Sequence, residues 1–173
     1  ADITYEYIGP NQYLVTFSFY RDCTGIPAPS SIDLDITNSC GFPAQSVFMN
    51  PLPSSPTQIS PVCSTEVTTC NGGLYTGIEE WIYQATVTLP GPCADWNFSH
   101  GESARNSAIT TITGAGSDIL YVYTQLNNTA GLVNNSPIFS NRPVPFACVG
   151  QRFCLNPGAY DIDGDSLSYQ MIT

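Results

Sequence analysis

Apolar and polar residues alternate along much of this chain with a period of two. From Gln12 to Arg21, Tyr13, Val15, Phe17 and Phe19 fall on one side and Leu14, Thr16, Ser18 and Tyr20 on the other. That pattern predicts a strand with one buried face. Ile3 to Ile8 precedes it across Gly9-Pro10-Asn11, so the two segments read as a hairpin. In Ile32 to Thr37, Ile32, Leu34 and Ile36 face one way and Asp33 and Asp35 the other. Trp81 to Leu89 places Trp81, Tyr83, Ala85, Val87 and Leu89 on one face. Ser107 to Thr113 and Asp118 to Leu126 are predicted to pair across Gly114-Ala115-Gly116-Ser117. Residues 50–62 carry four prolines. Proline cannot donate to a strand ladder, so an irregular loop is expected there and a central strand is excluded. No 3.6-residue periodicity runs long enough for a helix.

These elements predict an all-β chain, and the composition agrees. Hydrophobic residues make up 42% and helix formers are scarce, enough for a sizeable core built from strands and turns. The polar, turn-rich run Asn127 to Ser136 suggests a boundary. Residues 1–133 are expected to form a disulfide-braced antiparallel β-sandwich of immunoglobulin-like type. Residues 134–173 are expected to begin a second immunoglobulin-like or cadherin-like module, with Ile138-Phe139, Val149 to Leu155, an acidic loop and a strand from Leu167 to Ile172. The chain stops before that module is complete, which suggests a piece of something longer.

Charge narrows the partners. The formal net charge is −10, and the four cations are Arg21, Arg105, Arg142 and Arg152, with no lysine. Nucleic acids and anionic membrane surfaces are recognised through clusters of Lys and Arg, so neither is an expected partner. No window approaches the roughly 18 apolar residues of a membrane span. Ala1-Asp2 reads as a mature terminus after signal-peptide removal, which implies secretion to the cell surface or beyond.

The chain has seven cysteines and no C-x2-C spacing, which favours disulfides in an oxidising compartment over a zinc site. Cys63–Cys70 is the best single pair on spacing. The pairing of Cys23, Cys40, Cys93, Cys148 and Cys154 stays open, and one cysteine is left over.

The candidate metal site is Tyr160 to Tyr169. Asp161, Asp163 and Asp165 alternate around Gly164, and calcium takes six to eight oxygen ligands, often from such a turn. An EF-hand would continue with glycine and a bidentate Glu where Ser166 and Ile172 stand, so that motif is rejected. A site shared with Asn134 and Asn135 at the domain junction is the alternative. The competing reading is a solvated acidic turn.

Catalytic readings fare poorly. His100 is the single histidine, and Gly101-Glu102-Ser103-Ala104-Arg105 fails the G-x-S-x-G elbow because Arg105 replaces the last glycine. Glu79, Glu80 and Asp95 could be imagined as paired carboxylates for glycoside hydrolysis, but adjacent strand residues point to opposite faces. A non-enzymatic role is expected. Aromatics are plentiful, among them Tyr5, Tyr7, Tyr13, Tyr20, Tyr75, Tyr83, Tyr121, Tyr123, Trp81 and Trp96. Most suit a sandwich core, and exposed ones could stack on sugars as in a carbohydrate-binding module. N-x-S/T sequons stand at Asn97, Asn127 and Asn134.

Several segments together resemble the N-terminal region of large secreted Bacteroidota cell-surface proteins, which carry gliding-motility-type sorting domains and tandem immunoglobulin-like or cadherin-like modules. They are Asp2-Ile3-Thr4-Tyr5, Tyr20-Arg21-Asp22-Cys23, Cys70-Asn71-Gly72-Gly73, Leu89 to Trp96, Arg105 to Ile109, Asn134 to Phe139 and Asp161 to Leu167. The resemblance implies export by the type IX route and a structural or adhesive role beside further β-repeats or other subunits of a filament. The Asn134 to Phe139 run is also similar to a cadherin linker, which in that family shares calcium with an Asp-x-Asp of the next module; this implies a role for Asn134 and Asn135. It supplies no catalytic residues.

Overall fold

The computed structural model describes residues 1–63, 65–103, 105–107, 109–129, 133–143 and 149–170. Its strands are β1 (Asp2–Gly9), β2 (Gln12–Asp22), β3 (Ile32–Thr37), β4 (Gln45–Pro51), β5 (Thr57–Gln58), β6 (Ile78–Thr88), β7 (Trp96–Ser103), β8 (Ile119–Leu126), β9 (Ile138–Phe139) and β10 (Ala159–Tyr160). The fold is all-β, with antiparallel sheets that form a nearly closed barrel or sandwich.

The β1–β2 hairpin turns through Asn11, whose φ of 56° lies in the left-handed region that Asn tolerates better than most residues. β6 pairs with β2 along its whole length, from Gln12↔Thr88 to Asp22↔Ile78. β3 pairs with both β4 and β7, and β7 pairs with β8. The hydrogen-bonded path is β1-β2-β6-β4-β3-β7-β8, with the two-residue β5 appended to β6. Without β5, this is the strand order of a constant-type immunoglobulin sandwich, split between β4 and β3. β4 joins the halves: Gln45 to Met49 pair with β3, then Asn50 and Pro51 pair with Gln84 and Tyr83 of β6.

The alternation sorts core from surface as expected. Tyr13, Val15 and Phe17 of β2 and Ile32, Leu34 and Ile36 of β3 are all buried, while Asp33 and Asp35 are exposed. Tyr5 meets Tyr13 and Phe98, and Phe17 meets Tyr83 and the His100 ring, which makes an aromatic centre between the sheets. Burying each large apolar side chain contributes roughly 1.5–3 kcal/mol.

Three expectations about strands fail. The partner of β8 is β7, not Ser107 to Thr113. The described part of that segment consists of turns and bends, with the Ile109 amide donating to Asn106 O. β7 escapes notice because its inward row includes His100 and Glu102 and its outward row holds Asn97, Ser99, Gly101 and Ser103. Few of its residues look like strand formers. β4 is likewise hard to see in the sequence, since Ser46 and Asn50 flank Phe48 on its outward row and Gln45 begins its inward row. In the C-terminal segment, Ile138 and Phe139 pair with Tyr160 and Ala159. Val149 to Leu155 and Leu167 to Gln170 are not strands, and Met171 to Thr173 lie outside the described residues.

At the β6–β7 corner Trp96 is fully buried and stacks on Phe42 with ring centroids 5.4 Å apart. Its indole N–H donates to Gly91 O at 3.2 Å. A Cβ on Gly91 would lie 2.7 Å from Phe42 Cζ, so only glycine allows this approach.

The ends of the strand path, β1 and β8, approach each other, and the Tyr5 hydroxyl donates to Gln125 O at 3.2 Å. Asn135 and Ser136 line the free edge of β1. Ser136 N donates to Tyr5 O at 2.9 Å, Tyr5 N to Ser136 Oγ at 2.8 Å, and Tyr7 N to Asn135 Oδ1 at 2.8 Å. These residues, placed by sequence at the start of a second module, satisfy edge groups of the first.

Candidate functional site

Two places have the chemistry to be considered: the acidic loop with its asparagines, and the outward face of the β4-β3-β7-β8 half.

The structure brings Asn135 and the acidic loop together. Asn135 N donates to Asp163 Oδ2 at 2.6 Å, and its Nδ2 reaches Asp163 Oδ1 and Oδ2 at 3.0 and 3.2 Å. Asp161 Oδ1 accepts from Asp163 N at 2.8 Å and Asp165 N at 3.4 Å, tightening the turn around Gly164, whose φ is +85°. Asn134 Nδ2 donates to the Tyr5 hydroxyl at 3.1 Å. Burial, aided by the charges of Asp161 and Asp163 and opposed by the Asn134 bond, pushes Tyr5 up to about 12. Asp161 and Asp163 thus have protein donors, and Asn135 links the loop to β1. Asp161, Asp163 and Asp165 do not converge on one point. Among the described residues, the groups of three whose donor atoms lie within 4.8 Å of one another are Cys23, Cys70 and Glu79, and Cys40, Cys93 and Asp95. Both contain a disulfide, so neither offers thiolates.

The disulfides are Cys23–Cys70 and Cys40–Cys93. The expected Cys63–Cys70 pair is therefore wrong: Cys70 is taken by Cys23, and Cys63 is free and exposed. The error came from spacing. Cys23 directly follows β2 and Cys70 sits in a short 3-10 turn before β6, so the β2–β6 ladder brings them together across 47 residues. Cys40–Cys93 links the loop after β3 to the loop before β7 in the same way. Cys154 is also free and exposed, and Cys148 lies outside the described residues. Neither bridge is the core-spanning one of antibody domains, which joins the second strand to the sixth.

A carboxylate stands beside each bridge. Asp95 Oδ1 lies 2.9 Å from Cys93 Sγ and accepts from Ser39 N at 3.1 Å. Hydrogen bonds from the Ser39 side chain and amide hold the Asp95 carboxyl below its usual range. Glu79 forms an ion pair with Arg21 at 2.6 Å and accepts from the Trp81 indole at 2.7 Å. Glu80, buried, pairs instead with Arg142 at 2.8 Å. Glu79 and Glu80 therefore serve different partners, and Asp95 serves a third, as adjacent strand positions and a distant loop require.

His100 is buried, with its Nδ1 2.8 Å from Asp33 O, its Nε2 3.3 Å from Glu102 and its ring edge-on to Phe17. Those contacts describe a core histidine. Ser103 is at the exposed end of β7. Of the sequon asparagines, Asn97 lies within β7 and Asn134 is bound to Tyr5, while Asn127 is exposed and accepts from Thr129.

Tyr5, Tyr13, Tyr83 and Trp96 are core, Tyr7, Tyr20 and Trp81 are half-buried, and Tyr75, Tyr121 and Tyr123 are exposed, the last two by 56% and 50% on β8. Their ring centroids are 5.9 Å apart with planes 30° apart. Tyr123 is opposite Ser99 and Tyr121 opposite Gly101, while Ser99 is in turn opposite Asp35 of β3. No single sequence motif marks this grouping; the alternation in β8 was its only signal.

The class defined is an all-β, two-disulfide sandwich with one exposed polar and aromatic sheet face. No helix among the described residues is long and apolar enough to cross a membrane. Comparison with protein-family models, with curated proteins and with solved structures finds no match to this chain.

Proposed function

We propose that this chain is a non-enzymatic structural and adhesive module of an extracellular surface protein or filament, acting by display, assembly or adhesion. The observation that carries the reading is the bracing: two long-range disulfides and the Asn135–Ser136 contacts on β1 hold a rigid sandwich whose outer sheet face stays open. Disulfides of this kind belong to oxidising compartments. A net charge of −10 without lysine supports solubility and disfavours contact with anionic surfaces. His100, Glu79, Glu80 and Asp95 each have protein partners, which supports structural roles for them. The segment resemblance to Bacteroidota surface proteins supports the same setting.

Protease shaving tests this. On intact cells producing the natural protein, an antibody epitope in this module should be lost on brief treatment. An epitope that survives until the cells are broken refutes surface display. Beads coated with the purified protein should also be retained under flow on the surfaces its source cells colonise, with no retention counting against adhesion.

A further inference from the structure

The outward face of β3, β4, β7 and β8 carries polar and aromatic side chains. Its hydrogen-bonded rows are readable from the register. Ser46, Asp35, Ser99 and Tyr123 form one row across the four strands, and Thr37, Asn97 and Gln125 form the next on β3, β7 and β8. Asp33 is opposite Phe48, which is 71% exposed. None of the four strands contains a lysine or arginine. The face thus combines two carboxylates, several neutral hydrogen-bonding groups and a pair of open tyrosine rings.

Gly101 shapes it. A Cβ at Gly101 would lie 3.3 Å from Ile119 Cγ2 and 4.0 Å from Tyr121 Cδ2, so both side chains lean across β7 over the glycine. That leaves broad apolar ring surface toward solvent beside a polar strip. Ser99 is only 5% exposed, which places it at the floor of the row between Asp35 and Tyr123. From Tyr123 to Asp35 is two strand spacings, about 10 Å. A short oligosaccharide is long enough to span that distance.

We infer that this face is a glycan-binding surface, and that its ligand is a neutral sugar chain whose pyranose C–H faces lie on Tyr121 and Tyr123. Sugar rings have an apolar face and a rim of hydroxyls, the two properties that the tyrosine pair and the polar strip complement. Carboxylates accept two or more hydrogen bonds each, so Asp35 suits a hydroxyl-rich ligand. The same carboxylates repel uronates, sialic acids and sulfated chains along the strip, and the cation at the start of β8, Arg105, has its Nε engaged by Ile119 O at 3.3 Å. This inference rests on the adhesive reading and names its target class.

The test is a printed panel of neutral and anionic glycans probed with the full chain, followed by calorimetry with cellohexaose and chitohexaose. At least one neutral glycan should bind. Tyr121→Ala and Tyr123→Ala should each weaken it about tenfold, the scale of one aromatic contact. Tyr121→Phe should retain binding, because the ring and not the hydroxyl is used. Asp35→Ala should weaken it by about tenfold or more through lost charge-assisted bonds. Tyr75→Ala, an exposed tyrosine outside this face, should change nothing. Melting curves identical to the parent's show that the exposed-site variants fold. Absence of binding to any neutral glycan, unchanged binding in both tyrosine variants, or preference for anionic glycans overturns the inference. So does binding of a cationic peptide without any glycan, which would make the face a cation site. A protein that is shaved from intact cells yet binds no glycan keeps the surface-module reading and loses this one.

Discussion

Removing the Cys40–Cys93 bridge should cost more than any single surface contact. The relevant perturbation is the double variant Cys40→Ser and Cys93→Ser, which avoids leaving one thiol to mispair. The bridge closes a loop with a sequence separation of 53. In the chain-entropy treatment a loop of that length restricts the unfolded chain by about 4 kcal/mol at 25 °C. Unfolding entropy is about 2.1 cal/mol/K per residue, so a cooperative unit of this size should lose roughly 10–15 °C in Tm. Differential scanning calorimetry of both forms reads the loss, and urea titration shows whether cooperativity survives. The Cys23–Cys70 bridge has a similar separation, 47, and should give a similar loss in Cys23→Ser with Cys70→Ser. The competing Cys63–Cys70 pair would close a far shorter loop, worth roughly 2–3 kcal/mol. Non-reducing peptide mapping after alkylation separates the alternatives directly. Peptides joined through Cys23–Cys70 and Cys40–Cys93, with Cys63 alkylated, are expected. A Cys63–Cys70 peptide, or a loss below about 3 °C in the Cys40/Cys93 variant, would refute the reasoning.

Other outcomes follow from single contacts. Ser136→Ala leaves the Tyr5 N–H without its acceptor in a buried place and should cost about 1–3 kcal/mol by urea unfolding; a smaller change would mean that the edge of β1 is not held by this residue. Tyr5 is raised from 10.0 to about 12, so its contribution is complete below pH 10 and lost as pH climbs through 12, amounting to about 3 kcal/mol; Tyr5→Phe should remove one proton's worth of slope from stability against pH in that window. Asp95 is held low instead, so its support is present above pH 3.8 and fades as pH falls below it; Asp95→Asn should flatten that acid limb, and an unchanged limb would discount the Ser39 contact. Because Asp161 and Asp163 are occupied by backbone and Asn135 donors, a chelator should shift Tm by less than about 1 °C. A rise of several degrees in millimolar calcium, abolished by Asp163→Ala, would show the loop rearranging into a metal site.

The sequence alone determined the fold class and the core. Period-two alternation in β2, β3 and β6 is a direct record of which side faces the interior, because every second side chain of a strand points the same way. Proline chemistry marked residues 50–62, where the described chain has only the end of β4 and the two-residue β5. The sequence also sets Asn135 and the acidic loop at one junction, and in the fold Asn135 hydrogen-bonds Asp163. Tertiary structure decided what depends on distant residues meeting. Cysteine partners follow from which strand ends are neighbours in the β2–β6 and β3–β7 ladders, and local spacing says nothing about that. β7 became a central strand although Asn97, Ser99, Gly101 and Ser103 are weak strand formers, since burial of Trp96, Phe98 and His100 outweighs them. The open face of Asp35, Ser99 and Tyr123 exists only through register, which sets residues from three separate stretches side by side.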